Sequence, residues 1–309
     1  MAEAPGDSRS NGFTDGVASE RAPQVHLLSN GSYHLMVSSA GGGYSRWNGL
    51  ALTRWREDVT CDNWGAFCYI RDPVSGHVWS TTMQPTLQQP DTSGAEFSPG
   101  RAAFRRRDHD IELETEIAVS HDDDVEIRRI SLTNRSPARR ELDLTSYAEV
   151  VLTAAAADTA HPAFEKLFVE TEILGASQAI VCTRRARAPD EPAPSMFHLL
   201  IAATGPAAAV SYETDRARFI GRGRSTADPQ ALDEAGPLSG SSGSVLDPVV
   251  AIRCRVQLEP GASTTIDLVS GVASTRAACL ALVRKYQQRH SADLVLGAAS
   301  TSASSEALA

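Results

Sequence analysis

The sequence predicts a mainly β protein of antiparallel sheets packed face to face, and three observations carry that prediction. Apolar residues alternate with period two from about residue 25 to residue 272. Turn-forming residues separate the alternating runs, and no helical periodicity intervenes until residue 274. The composition permits a large core: of 309 residues, 42% are hydrophobic and 22% charged, an ordinary globular balance.

Residues 1–24 are rich in Ala, Gly, Ser, Asp and Glu, with no apolar stretch behind a basic one, so they read as a disordered lead-in rather than a secretory signal. The β domain is expected over 25–273. Its clearest strand carries Ile111, Leu113, Thr115, Ile117 and Val119, with mostly acidic or small residues between them. After the acidic turn Asp122-Asp123-Asp124 the pattern resumes at Val125, Ile127, Ile130 and Leu132. Its phase changes after Ile127, which predicts a β-bulge. Further strands are expected at 142–151, 168–173, 179–183, 197–202 and 210–214. Ile252, Cys254, Val256 and Leu258, the turn Glu259-Pro260-Gly261-Ala262, then Ile266 and Leu268 predict a hairpin. A linker helix is expected over 274–290, capped by Ser274 or Thr275, with Leu280, Leu282, Val283 and Tyr286 as its apolar stripe. The Ser- and Ala-rich tail, 291–309, is expected to hold little structure. Two long irregular stretches, 154–165 and 221–247, read as functional loops at one rim.

Charge and motifs remove several function classes. Twenty-nine Lys plus Arg against 38 Asp plus Glu leave a net charge of −9, which argues against nucleic-acid binding. No apolar run approaches the roughly 20 residues of a membrane span. Five scattered cysteines make a poor disulfide framework and fit a reducing cytoplasm. Cys61 and Cys68 lack a second ligand pair at zinc spacing, and Gly41-Gly42-Gly43 lacks dinucleotide-binding spacing, so neither a metal nor a cofactor is expected and the glycines read as a bend. Asp108-His109-Asp110 and His121-Asp122-Asp123 sit beside polar turns, without a nucleophile to complete a triad.

The segment from Tyr44 to Trp79 holds all four tryptophans, Trp47, Trp55, Trp64 and Trp79, among Arg46, Arg54, Arg56, Glu57, Asp58, Asp62, Arg71 and Asp72. Indole faces stack on sugar rings, while guanidinium and carboxylate groups hydrogen-bond hydroxyls, so this mixture suits a carbohydrate. Core packing and Arg–Asp bracing use the same residue types, and both readings stand at this point. A glycosidase needs two carboxylates roughly 5–10 Å apart, one with a raised pKa. No motif singles out such a pair among Glu57, Asp58, Asp62, Glu149, Asp158 and Glu165. His161, inside the first long loop, has two uses open to it: bonding a ligand or fixing the loop.

Several ordered blocks carry a resemblance. They are Ser29-Asn30-Gly31-Ser32-Tyr33, Ala40-Gly41-Gly42-Gly43-Tyr44-Ser45-Arg46-Trp47 and Thr53-Arg54-Trp55-Arg56-Glu57-Asp58, then Asp62, Trp64-Gly65 and Tyr69-Ile70-Arg71-Asp72. Leu144-Thr145-Ser146-Tyr147-Ala148-Glu149-Val150, Ala160-His161-Pro162-Ala163-Phe164, the run from Glu213 to Gly223 and Leu246-Asp247-Pro248-Val249 continue them. Together they resemble the N-terminal sandwich domain of glycoside hydrolase family 94, formerly glycosyltransferase family 36, in its cyclic beta-1,2-glucan synthase type. The resemblance implies a large antiparallel super-sandwich of the galactose mutarotase-like kind. In that family, linker helices and an (α/α)6 barrel follow, and the barrel supplies the general-acid Asp for inverting phosphorolysis of a beta-glucosidic bond. No Gly-Asp-Trp-Asn-Asp-Gly-like barrel segment occurs in these residues.

The expectation is therefore a carbohydrate-binding domain, non-catalytic by itself. Its ligand would be a beta-glucan oligosaccharide, and its partner an (α/α)6 catalytic domain or a second copy reached through the 158–166 loop. On the chemistry of these residue types, stacking is expected of Trp47, Trp55 and Trp64, hydroxyl or phosphate contacts of Arg54 and His161, and loop anchoring of Phe164, with Asp58 and Lys166 completing the set. The alternatives are a phosphorylase or glucan synthase whose barrel another chain supplies, a mutarotase-like enzyme, and an association scaffold.

Overall fold

The computed structural model describes residues 14–15, 24–188, 191, 193–202 and 208–306. Among them the chain forms two antiparallel sheets of nine strands each. The first runs, edge to edge, β1 (Thr14–Asp15), β8 (Thr92–Ser98), β9 (Arg101–Asp108), β10 (Ile111–Val119), β11 (Val125–Asn134), β18 (Ser263–Ala273), β15 (Ser195–Ala202), β14 (Ala179–Arg184) and β13 (Val169–Leu174). The second runs β16 (Ala208–Asp215), β17 (Pro248–Leu258), β12 (Arg140–Ala154), β5 (Leu50–Thr53), β4 (Gly43–Trp47), β3 (Tyr33–Ser38) and β2 (Val25–Ser29). Off that path, β6 (Ala66–Arg71) pairs with β12 and with β7 (Val78–Ser80). The expected super-sandwich is present, and each strand expected between residues 142 and 214 lies at its place. Of the lead-in, only Thr14–Asp15 and Gln24 lie within the described residues.

Alternation explains the main core. Leu35, Leu52, Ile70, Leu144 and Ile252 from the second sheet meet Ile111, Leu113, Ile117, Ile130 and Ile266 from the first, all buried. Each such side chain contributes roughly 1.5–3 kcal/mol of burial. Two further apolar layers cover the outer faces. On the first sheet, Val125, Ile127, Val181, Phe197 and Val269 pack under helices α4 (Arg276–Tyr286) and α5 (Arg289–Glu306). On the second, Tyr69, Tyr147 and Val249 pack under Phe219 and Ile220 of α3 (Arg216–Ile220) and under Leu232 and Leu238 of the following loop.

Three expectations are corrected by this layering. The phase change after Ile127 is not a bulge: the β10–β11 and β11–β18 registers run unbroken, and β11 turns Val125 and Ile127 to the helices but Ile130 and Leu132 to the sandwich interior. Nor do β17 and β18 form a hairpin. β17 pairs with β12 and β16, β18 with β11 and β15, so the Glu259–Ala262 turn carries the chain from one sheet to the other. Buried Asn134 holds that crossing, its Nδ2 donating to the Leu258 carbonyl at 3.0 Å and its backbone carbonyl accepting from Gly261 at 2.9 Å. Finally, the Ser- and Ala-rich tail is helical through Glu306, because Ala292, Leu296 and Ala299 supply a small apolar stripe buried against the first sheet. Thr275 caps the preceding helix, its Oγ1 accepting from the Ala278 amide at 3.2 Å.

Candidate functional site

At the Ala154 end of β12 the second sheet passes into α1 (Ala155–Ala160) and α2 (Pro162–Lys166). β5 ends beside it, and the Arg54 amide donates to the Glu149 carbonyl at 3.2 Å. This pairing puts the Arg54 side chain, 4% exposed, among carboxylates from three segments. Its Nη1 lies 2.5 Å from Glu149 Oε2 and 3.4 Å from Asp247 Oδ1, and its Nη2 lies 3.2 Å from Asp158 Oδ1. Arg56 closes on Asp158 at 2.6 Å, Lys166 on Asp247 at 2.7 Å and Arg216 on Glu149 at 2.6 Å. The Tyr147 hydroxyl donates to Glu149 Oε1 at 3.0 Å. Four cations thus share three carboxylates, and through them the 154–165 stretch, expected as an irregular loop but folded into two short helices, meets the end of the 221–247 stretch.

Electrostatics determine what this floor can do. Burial opposes ionisation of Glu149, yet Arg54 and Arg216 outweigh it and hold the carboxyl below the usual range. Asp158 is likewise desolvated and likewise held low by Arg54 and Arg56. A glycosidic general acid needs a raised pKa, so neither group is set up as one. Arg54 was expected to contact hydroxyls or phosphate; its guanidinium is instead buried and engaged by carboxylates, so it braces the rim from below.

Around this floor stand more open side chains. Trp55 is half-buried and meets Tyr44 edge to face, ring centres 5.8 Å apart, while the Arg46 guanidinium lies 4.2 Å over the Tyr44 ring. Buried Glu165 pins α2 through Arg184 at 2.7 Å and Arg187 at 3.2 Å, which leaves His161 and Phe164 exposed. Phe164 is 51% exposed and packs edge-on against Phe168 at 5.0 Å. Pro162 starts α2 where a missing amide hydrogen costs nothing, which fixes His161 in the elbow between the two helices.

The other expected residues lie apart. Trp47 is at the far end of β4, donating from its indole nitrogen to Asp124 Oδ2 at 2.6 Å and packing on the main core. Trp64 is half-buried, and its carbonyl accepts from the Gly43 amide at 2.7 Å. Asp58 is exposed in a turn closed by Thr60, whose hydroxyl and amide donate to it at 2.6 and 2.8 Å and keep its carboxyl below the usual range. The structure adds Tyr147, Arg216 and Asp247, which no spacing rule singles out. Their signal was that each lies inside a block carrying the family resemblance. Among the described residues no cluster of three or more His, Cys, Asp or Glu is placed to hold a metal ion.

Comparison with known proteins gives the family. The profile of the glycosyl hydrolase 94 supersandwich domain matches residues 14–289. The chain is 38% identical over 240 residues to the cyclic beta-(1,2)-glucan synthase NdvB of Rhizobium meliloti, covering 78% of this chain and 8% of the synthase. It is 23% identical over 265 residues to the N,N'-diacetylchitobiose phosphorylase of Vibrio proteolyticus, covering 81% of this chain and 31% of the enzyme. The chain therefore spans well under half the length of these relatives. A bacterial glucoamylase structure in complex with acarbose aligns over 93% of this chain and 36% of its own, at TM-score 0.50 and 9% identity, which speaks to fold alone. This chain belongs to glycosyl hydrolase family 94, and what it carries is that family's supersandwich domain.

Proposed function

We propose that this sandwich binds a beta-linked glucan segment at the rim above Arg54 and does not itself cleave it. The observation that carries the reading is the build of that rim. A buried ionic floor holds Trp55, His161, Phe164 and Lys166 in place on short, pinned segments, as a preorganised sugar site requires. In this reading Trp55 and Phe164 stack on pyranose faces, while His161, Arg56 and Lys166 take hydroxyl or phosphate oxygens. Trp64 and Asp58 lie on the same 54–65 segment and would extend the surface, and Trp47 serves the fold. The relationship to NdvB makes a beta-1,2-linked glucan the first ligand to test.

A second role for the same rim is favoured by its apolar edge. Phe164, Leu167 and Leu246 are exposed; Leu167 and Leu246 adjoin Lys166 and Asp247 of the ionic network, and Phe164 adjoins Glu165, which pins α2. That edge would seat an (α/α)6 catalytic domain or a second copy, so that the glucan is presented to chemistry supplied elsewhere. All five cysteines are free thiols, which supports a reducing, cytoplasmic setting. No helix among the described residues is long and apolar enough to cross a membrane.

Calorimetric titration with short beta-1,2-glucans, followed by an assay for phosphate release from glucose 1-phosphate, tests the proposal. Heat of binding without turnover is expected. Turnover by the purified chain would contradict the non-catalytic half, and absence of heat would contradict the binding half.

A further inference from the structure

A cavity of about 470 Å³ opens at the other end of β12, between the β9–β10 turn, β7 and the 227–233 loop. Arg140, the first residue of β12, donates from Nη1 to the His109 carbonyl at 2.9 Å and so ties the cavity wall to that strand end. Nine residues of extended chain separate Arg140 from Glu149, roughly 30 Å. The cavity is thus remote from the Arg54 rim.

Its lining is specific in chemistry. Three aromatic rings run from the interior outward: Trp79, 1% exposed, lies 5.5 Å from His109, and His109 stacks on His77 at 4.4 Å and 23°. The Trp79 indole Nε1 is buried and has no hydrogen-bond partner among the described residues, and its ring backs the cavity wall, so its indole signal reports on that wall. The carboxylates on the wall are already engaged. Arg106 binds Asp108 at 2.6 Å, Arg224 binds Asp233 at 2.6 Å, and Asp228 accepts from Ser225 at 3.2 Å. No Lys or Arg lines the cavity, which disfavours a phosphate or other anion, and two of the three carboxylates are neutralised by Arg106 and Arg224, which leaves Asp228 as the one wall carboxylate without an ion pair among the described residues. Flat imidazole surface, the side-chain amides of Gln88 and Gln89 and hydroxyl-accepting oxygens suit a neutral pyranose ring.

We propose that this cavity is a second carbohydrate site, taking one or two neutral sugar residues against the exposed His109–His77 stack, with the Trp79 ring directly behind it. The ligand class rests on the carbohydrate reading above; the location does not.

The test uses the full chain labelled with 15N at its tryptophans and sophorose, the beta-1,2-linked glucose disaccharide, as the probe. The Trp79 indole resonance is identified by its loss in Trp79→Phe or, should that variant not fold, from its contact with His109. It is expected to shift saturably, and His109→Ala, at an exposed position, is expected to weaken that shift's affinity by about tenfold. A stationary Trp79 resonance while Trp55 responds would overturn this proposal and leave the Arg54 rim standing. A moving Trp79 with Trp55 unmoved would support this proposal and contradict the rim. No response at any tryptophan would overturn both.

Discussion

Arg54 lies between Glu149 and Asp158 where water scarcely reaches, and its removal would leave these carboxylates held from the outer side alone, by Arg216 and Arg56. Leaving a buried charge wholly unpaired typically costs about 3–5 kcal/mol; with Arg216 and Arg56 still in place, Arg54→Ala is expected to lower unfolding stability in urea titration by about the lower end of that range. A loss near zero would mean that the network does not organise the rim. A second buried group predicts a pH dependence. His198 bonds Ser270 and Ser146, each at 2.8 Å, and burial lowers its pKa from 6.5 to about 4. Below about pH 6.5 the unfolded chain takes up a proton that the folded chain refuses, so stability falls as pH drops toward 4. The loss levels off at on the order of 3 kcal/mol. Unfolding curves of His198→Asn should show this slope flattened relative to the parent, and parallel pH profiles would contradict the assignment. Glu149 and Asp158 act in a lower window, because carboxyls held low in the fold stabilise it at neutral pH and lose that contribution as acid protonates them. The sequence marked Arg54 and Lys166 as candidates, but their shared partner Asp247 lies 193 residues from Arg54, and no local pattern reports a pairing across that distance.

At the scale of elements, period-two alternation located the strands well, and its failures have a common cause. Alternation reports which residues are apolar, not which of two apolar layers they enter. β11 feeds the helix layer and the interior in turn, so its phase change mimicked a bulge. β17 and β18 both face the interior from opposite sheets, so their connection mimicked a hairpin. The glycine run was legible as a bend, but its necessity lies in tertiary crowding: a Cβ on Gly42 would meet the Asp62 carbonyl oxygen at 2.0 Å. The tail was missed because Ser and Ala carry little apolar signal, and its few contacts, Leu296 among them, count only once the sheet is beneath them. Leu296→Ala is accordingly expected to cost about 2–4 kcal/mol in thermal or urea unfolding. A negligible change would show that α5 is not part of the cooperative fold.

For the whole molecule, two sheets enclose one core and offer two ends. Long strand β12 spans both, with the Arg54 floor at its Ala154 end and the aromatic cavity at its Arg140 end. The helices on one outer face and the 221–247 loop on the other leave these ends as the places where a ligand can approach. Fold and family were readable from ordered sequence blocks; the division of labour among the tryptophans was not, since Trp47 and Trp55 look alike in sequence and differ only in what surrounds them. The decisive measurement is the affinity for a short beta-1,2-glucan of Trp55→Ala compared with Trp47→Ala, taken by calorimetry on folded protein. Trp55→Ala is expected to weaken binding by about tenfold or more while Trp47→Ala leaves the affinity unchanged. Equal affinities in the two variants, or a loss confined to Trp47→Ala, would contradict it.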